Sequence, residues 1–468
     1  MHSMSTFQIV MTTAFIGFLI VGIGVFSAFG GALGGKQVGT VVIWGTHSSA
    51  TMTQLLSTLR STDGATFRDV NYVEKRPAAY KDELVNAIAS GTGPDLFLVG
   101  EAQISQFSDK VIPIPYNAVS QSDFVSAYID EGQLFLTPQG ALALPFAVDP
   151  LVMYWNRDLF GSAGIAQPPV HWNDFLQIAP KITSLDRSNN VTRSAVALGQ
   201  WQNVANAKAI LSALFMQAGD SITTRTAEGK AAPVFGQTGT AAGNPAESAL
   251  RFYTEFGNPG KTTYSWNRSL PRSNDAFAAG ELAVYFGFAS EYKGLAARNP
   301  NLRFGVALLP QLQSGGTQMT YGALTGVALS RGAHNAQGAL LVAQKLTAQG
   351  AISALTGIAG TPPVRRDVAV DTSASASGAV FVQSALISRG WLDPDPAGSD
   401  SVFKTMVESV LSGKQQPGQA VFDASSSFIQ LFPKGYLYAD FYKKRADSYF
   451  YTAGRSAHSG GIFCTIRL

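Results

Sequence analysis

Leu144-Pro145-Phe146-Ala147-Val148-Asp149-Pro150-Leu151-Val152-Met153-Tyr154-Trp155-Asn156-Arg157-Asp158-Leu159-Phe160 is the stretch whose reading decides the fold. Its middle, Leu151 to Trp155, is apolar without interruption and too short for a buried helix, so it reads as a strand covered on both faces. Towards the N-terminus, Val41-Val42-Ile43-Trp44, closed by Gly45, and Leu96-Phe97-Leu98-Val99 are runs of the same kind. Towards the C-terminus, Leu282–Phe286, Phe304–Leu309 and Leu324–Leu329 repeat the pattern. Helical periodicity fills the intervals. Met52, Leu55, Leu56 and Leu59 share one face over 51–60, and Val85, Ile88 and Ala89 extend a helix stopped by Gly91-Thr92-Gly93-Pro94. Further helices are predicted from Asp174 to Ala179, over 205–218, and from Asn274 to Ala279 before Gly280. Another is predicted over 336–349, capped by Asn335 and stopped at Gly350. Strand and helix alternate throughout, which predicts an α/β protein with largely buried sheets.

Composition narrows the function. The chain has 468 residues, 46% hydrophobic and 14% charged, which suits two to three domains and excludes a disordered chain. Thirty-four Lys and Arg against 31 Asp and Glu leave +3, too balanced for a dedicated nucleic-acid binder. The single cysteine, Cys464, rules out an internal disulfide framework and a cysteine zinc cluster. The five histidines, His2, His47, His171, His334 and His458, include no pair at a metal-ligand spacing. No metal or other cofactor is expected.

The ends differ from the body. No Asp, Glu, Lys or Arg precedes Lys36, and Ile9 to Leu33 is long enough to cross a bilayer, so residues 1–36 read as a transmembrane anchor with a Gly-rich tether. A cleaved export signal is the rival reading, weakened by the missing basic start and the length of the apolar run. Gly30 to Lys36 fits part of a phosphate loop, but Gln37 stands where a magnesium-holding hydroxyl belongs. Residues 433–468 form an aromatic and basic tail with six Lys and Arg against two Asp, either a docking segment or an irregular terminus.

Six segments in order resemble the extracellular solute-binding proteins of ATP-driven (ABC) importers, family 1, the sugar-binding type that includes maltose-binding protein. They are Gly91–Phe97, Leu144–Phe160, Pro169-Val170-His171-Trp172-Asn173-Asp174-Phe175, Ala276–Val284, Gly305–Pro310 with Gly322–Ser330, and Thr361–Asp367. The resemblance implies a two-lobe periplasmic-binding-protein-like fold with a hinge and an inter-lobe cleft. One lobe would be 37–148 with 311–350, and the other 149–310 with 351–432. It also implies a binding protein rather than an enzyme, with a small solute, a mono- or oligosaccharide in chemical class, delivered to membrane-spanning permease subunits. The body would be extracytoplasmic, held at the cell membrane by the N-terminal helix. Lys36 as the nearest charge to the span argues faintly for the opposite orientation.

A sugar site mixes flat aromatic faces with planar polar groups, and in open α/β sheets it lies at the carboxyl ends of strands. On that basis Thr46 and His47, which follow the first strand, are candidates for ligand contact or for capping the next helix. The resemblance implies a cleft role for Asp95, at the family's strand entry, with a helix-terminus or turn role as the alternative. The resemblance adds Trp201 in an aromatic loop, Phe288 and Ser290 where relatives present a stacking ring, Tyr321 beside the hinge, and Trp391 in a Pro-rich loop. Tyr154, Trp155 and Trp172 read as core. Two other classes stay open: a membrane-anchored sensor or adhesion protein on the same fold, and a glycoside hydrolase using Asp95 and Asp149 as paired carboxylates about 5–9.5 Å apart.

Overall fold

A computed structural model describes residues 38–239, 243–313, 316–371, 373 and 375–433. The principal strands are β1 (Val41–Gly45), β2 (Val70–Glu74), β3 (Leu96–Gly100), β4 (Leu144–Asn156), β5 (Val191–Val196), β6 (Leu282–Phe288), β7 (Phe304–Ala307), β8 (Thr320–Leu329) and β9 (Ser388–Arg389). They belong to one ten-stranded sheet whose path runs β2-β1-β3-β8-β4-β6-β5 and ends on the short strand Ser184–Leu185, with β7 beside β4 and β9 beside β8. β1 is parallel to β2 and β3, and β5 to β6; both pairings are made through intervening helices, as parallel neighbours require.

The decisive strand is longer than the apolar run that announced it. β4 pairs antiparallel with β8 through Leu144–Pro150, and then with β6 through Leu151–Trp155 and with β7 through Met153–Asn156. One strand therefore serves two halves of the sheet. The side chains separate into two cores at that point. The first holds Val41, Ile43, Phe97, Phe146 and Val148, and the second holds Leu151, Met153, Tyr154, Val284 and Phe403. The break falls between Val148 and Leu151.

The division further along the chain differs from the sequence expectation. Ala351, Ile352, Leu355, Val364 and Val368 pack into the first core, not the second. The cause is a helix break. The helix predicted over 336–349 is two helices, Ala336–Leu346 and Gln349–Ala359, and Gly350 lies inside the second rather than ending the first. The carbonyl of Thr347 accepts from the Tyr128 hydroxyl at 3.3 Å and from Arg365 at 3.1 Å, so it is unavailable for the helical bond that would carry the turn through. Asn335 does cap the first helix, its Oδ1 accepting from Gly338 N at 3.0 Å.

The N-terminal anchor and the tail after Pro433 lie outside the described residues. Among the described residues, no helix is long and apolar enough to cross a membrane.

Candidate functional site

The crossing strands alternate, and that alternation builds a floor. On β4, Ala147 and Asp149 are half-buried while Phe146 and Val148 are closed off. On β8, Tyr321, Ala323 and Thr325 are half-buried while Gly322 and Leu324 are closed off. Asp149 lies opposite Ala323, and Ala147 opposite Thr325, so these residues share one face. One face of the junction is thus open and the other belongs to the core.

The carboxyl end of β6 supplies one wall. Glu291 ties down the Phe288-Ala289-Ser290 turn: its Oε1 accepts from Phe288 N at 2.8 Å and from Asn206 at 3.0 Å, and its Oε2 from the Tyr285 hydroxyl at 2.5 Å. Asn206 reaches it from a left-handed backbone conformation, φ 61°, which asparagine tolerates better than most side chains. Held this way, Ser290 donates its backbone N–H to Asp149 Oδ1 at 3.0 Å. The Phe288 ring stands edge-on to Tyr321, with centroids 6.4 Å apart. Burial pushes the Asp149 carboxyl up to about 6, partly offset by the Ser290 bond.

The carboxyl end of β1 supplies the other approach. Thr46 is exposed and His47 half-buried. His47 lies edge-on to Phe146 at 5.8 Å, its carbonyl accepts from the Tyr72 hydroxyl at 2.7 Å, and burial holds its imidazole below its ordinary value. Capping of the following helix falls instead to Ser48, whose hydroxyl accepts from Ala50 N.

Phe288, Ser290 and Tyr321 are therefore brought together, and Thr46 and His47 stand at the neighbouring strand end. The other three candidates are placed elsewhere. Asp95 begins β3 at its amino end, where Oδ1 accepts from His334 N and Asn335 N and Oδ2 from Val42 N, each at 2.9 Å. Its oxygens join β1 to the start of the Ala336–Leu346 helix. Trp391 is buried in the second core, its indole donating to Ser212 Oγ at 3.1 Å. Trp201 is buried there as well, with its indole 3.4 Å from Asp400 Oδ2. Asp95 and Asp149 do not face one another: Asp149 pairs with Ala323, and Asp95 meets Ser330, seven residues along β8. At about 3.3 Å per residue that is roughly 23 Å, too far for one glycosidic bond.

Two residues at the junction were not singled out as ligand contacts or supports. Asp149 was weighed only as half of a hydrolase pair; its signal was the polar residue interrupting an apolar strand before Pro150. Glu101 gave no signal, because its importance arises from Tyr321, whose hydroxyl donates to Glu101 Oε1 at 3.0 Å across the sheet. An opening of about 650 Å³ is a separate groove lined by Ile104, Leu142, Arg225 and Phe432 among others, and it shares no residue with this floor. Among the described residues, no three His, Cys, Asp or Glu side chains are grouped to hold a metal ion.

Comparison with known proteins bears on the whole body. A family profile described as bacterial extracellular solute-binding protein matches residues 61–382. Binding proteins of Brucella abortus (strain 2308) and Brucella suis biovar 1 (strain 1330) are each 22% identical over 360 residues, covering 74% of this chain and 81% of theirs. A cyclo/maltodextrin-binding protein solved with maltotetraose superposes with a TM-score of 0.68 at 15% identity, over 86% of this chain and 98% of that one. UgpB from Mycobacterium tuberculosis, solved with glycerophosphocholine, gives a TM-score of 0.65 at 18% identity, over 84% and 98%.

Proposed function

The chain belongs to the bacterial extracellular solute-binding proteins, and from that premise we propose that it captures a carbohydrate over the β4–β8 junction and delivers it to the permease of an ABC importer. The observation that carries this reading is the open face on which Asp149, Tyr321 and Phe288 converge. The Asp149 carboxylate accepts from sugar hydroxyls, and the two rings cover an apolar sugar face. Solved neighbours of the same fold that hold maltotetraose and tagatose support a sugar, while UgpB, of the same fold, holds glycerophosphocholine. The body works outside the cytoplasm, tethered by the N-terminal segment.

The mechanism follows from the topology. The halves of the sheet are joined by β4 and β8, so bending there changes the distance between the β1 end, at Thr46 and His47, and the β6 end, at Phe288 and Ser290. A solute that touches both ends favours the closed arrangement by its differential affinity for it.

A thermal-shift screen of the full chain against mono- and oligosaccharides tests the proposal. A sugar present at 100 times its dissociation constant adds about 2.7 kcal/mol and raises the melting temperature. The expected result is a stabilising sugar recovered unchanged after incubation. No shift with any sugar moves the reading to another solute; a sugar consumed on incubation overturns the receptor role.

A further inference from the structure

Beneath Tyr321 lies a buried carboxyl pair that solute capture does not use. Glu131, on the turn Asp130–Phe135, is 1% exposed, and Glu101, at the start of the helix Glu101–Phe107, is 3% exposed. Both carboxyl oxygens of Glu131 are closed to solvent and have no hydrogen-bond partner. The two side chains meet against the third chain segment at the junction. Glu131 Oε1 and Glu101 Cγ lie 2.7 and 3.1 Å from the place a Cβ of Gly390 would take, and a Cβ on Gly322 would collide with Glu131 Oε2. A side chain at Gly322 would also meet Ser388 Cβ at 2.8 Å, and one at Gly390 would push the Glu131 carboxyl aside.

Among the described residues, no cation forms an ion pair with either carboxyl. Arg389, whose charge offsets part of the rise at Glu131, donates to Asp130 Oδ2 and to the Ser388 carbonyl, both at 2.8 Å. Arg366 also pairs with Asp130. Arg225 donates to the carbonyls of Leu134 and Gly229, and Lys208 pairs with Asp393 at 2.6 Å. A cavity of about 270 Å³ adjoins Glu131, but its oxygens are sealed from it. An ion or water of ordinary size has no access to them; a proton does. A second buried negative charge at this spacing is costly without a partner.

We infer that Glu101 and Glu131 are held in their protonated forms in this arrangement and act as positioning residues, holding Tyr321 and the Ser388–Gly390 segment at the junction. Burial pushes Glu101 up to about 7, and burial followed by the Glu101 charge pushes Glu131 well above the usual carboxylate range. Raised values in the folded chain mean that it binds the proton more tightly than the unfolded chain does. Stability from the pair is fully present below the ordinary carboxylate range; the part held by Glu101 is lost as pH rises through about 7, and the part held by Glu131 at higher pH. Ionisation of Glu101 keeps its bond from the Tyr321 hydroxyl but places a buried charge beside Glu131, and the cost of that charge loosens the floor on which Tyr321 stands. That last step rests on the solute site proposed above; the proton pair does not.

The test is thermal melting of the unliganded full chain from pH 5 to 9, for the wild type, Glu131→Gln and Glu101→Gln, with solute affinity measured over the same range. The wild type is expected to lose several degrees of melting temperature between pH 6 and 8.5. Glu131→Gln flattens that slope and melts above the wild type at pH 8.5; if it does not fold, Glu101→Gln is expected to flatten the slope in the same way. Affinity is expected to weaken by about threefold or more across that range in the wild type, and by less in the variant. Equal slopes in the wild type and the folded variants, or a Glu131→Gln chain less stable than the wild type at pH 8.5, overturn the inference. The expected slopes without binding of any sugar support the proton pair and overturn only the solute reading.

Discussion

The second core and the junction are both rich in aromatic and polar side chains, yet they treat their polar atoms differently. In the core each buried indole has a partner: Trp172 donates to Gln217 at 2.6 Å, Trp266 to Asn203 at 3.1 Å and Trp391 to Ser212 at 3.1 Å. At the junction, Asp149 accepts one backbone N–H, and Glu131 accepts none. Asp220 Oδ1, Asn274 Oδ1 and Ser384 Oγ are buried without a partner as well, so incomplete pairing alone does not mark a site; at the junction it coincides with the partly exposed face where a solute or a proton can complete the set. The aromatic residues that look most sugar-like in sequence, Trp201 and Trp391, are on the complete side.

That contrast can be broken by substitution. Trp391→Ala is expected to have the largest effect, a loss of about 3–5 kcal/mol in stability by urea unfolding, because it empties a packed site. Solute affinity of the folded fraction should be unchanged; lost affinity at full stability would move Trp391 into the site. Asp149→Asn should do the reverse, weakening binding by about 1.5–3 kcal/mol in calorimetry, as expected for a hydrogen bond to a charged group. Its stability effect has a sign set by the raised Asp149 value. The wild-type contribution is present below the ordinary carboxylate range and fades as pH rises through about 6, so the variant's melting temperature should vary less from pH 4.5 to 7.

Asp95→Asn should cost about 1–3 kcal/mol of stability, since one of three backbone donors then faces an amide N–H₂ or loses its partner, with binding untouched. A binding defect there would contradict its assignment to the far end of the sheet. Phe288→Ala should give the smallest effect, about 0.5–1.5 kcal/mol in affinity if the ring covers the solute. No change would leave Tyr321 as the sole aromatic surface of the proposal.

Much of the fold was legible because it is written in short-range pattern. The apolar runs at 41–44, 96–99 and 282–286 are all strands, and the polar Asp149-Pro150 step inside the 144–156 strand marks where the two cores part. What failed depended on distant partners. The break after Leu346 comes from Tyr128 and Arg365, neither of them near in sequence. For Asp95 the cleft and the turn role stay open in the sequence, because a carboxylate at a strand start has the same local signature whether it meets solute or backbone. Three amide donors from residues 42, 334 and 335 decide the matter. Glu101 and Glu131 were invisible for the same reason: thirty residues apart in the chain, they meet only because Gly322 and Gly390 leave room.

A structure of the full chain with the stabilising sugar bound tests the central claim most directly. The account predicts the sugar on the open face of β4 and β8, with a hydroxyl within hydrogen-bond distance of Asp149 and the rings of Phe288 and Tyr321 against it. Sugar seated instead in the groove lined by Leu142 and Phe432, with the junction face bare, would contradict it.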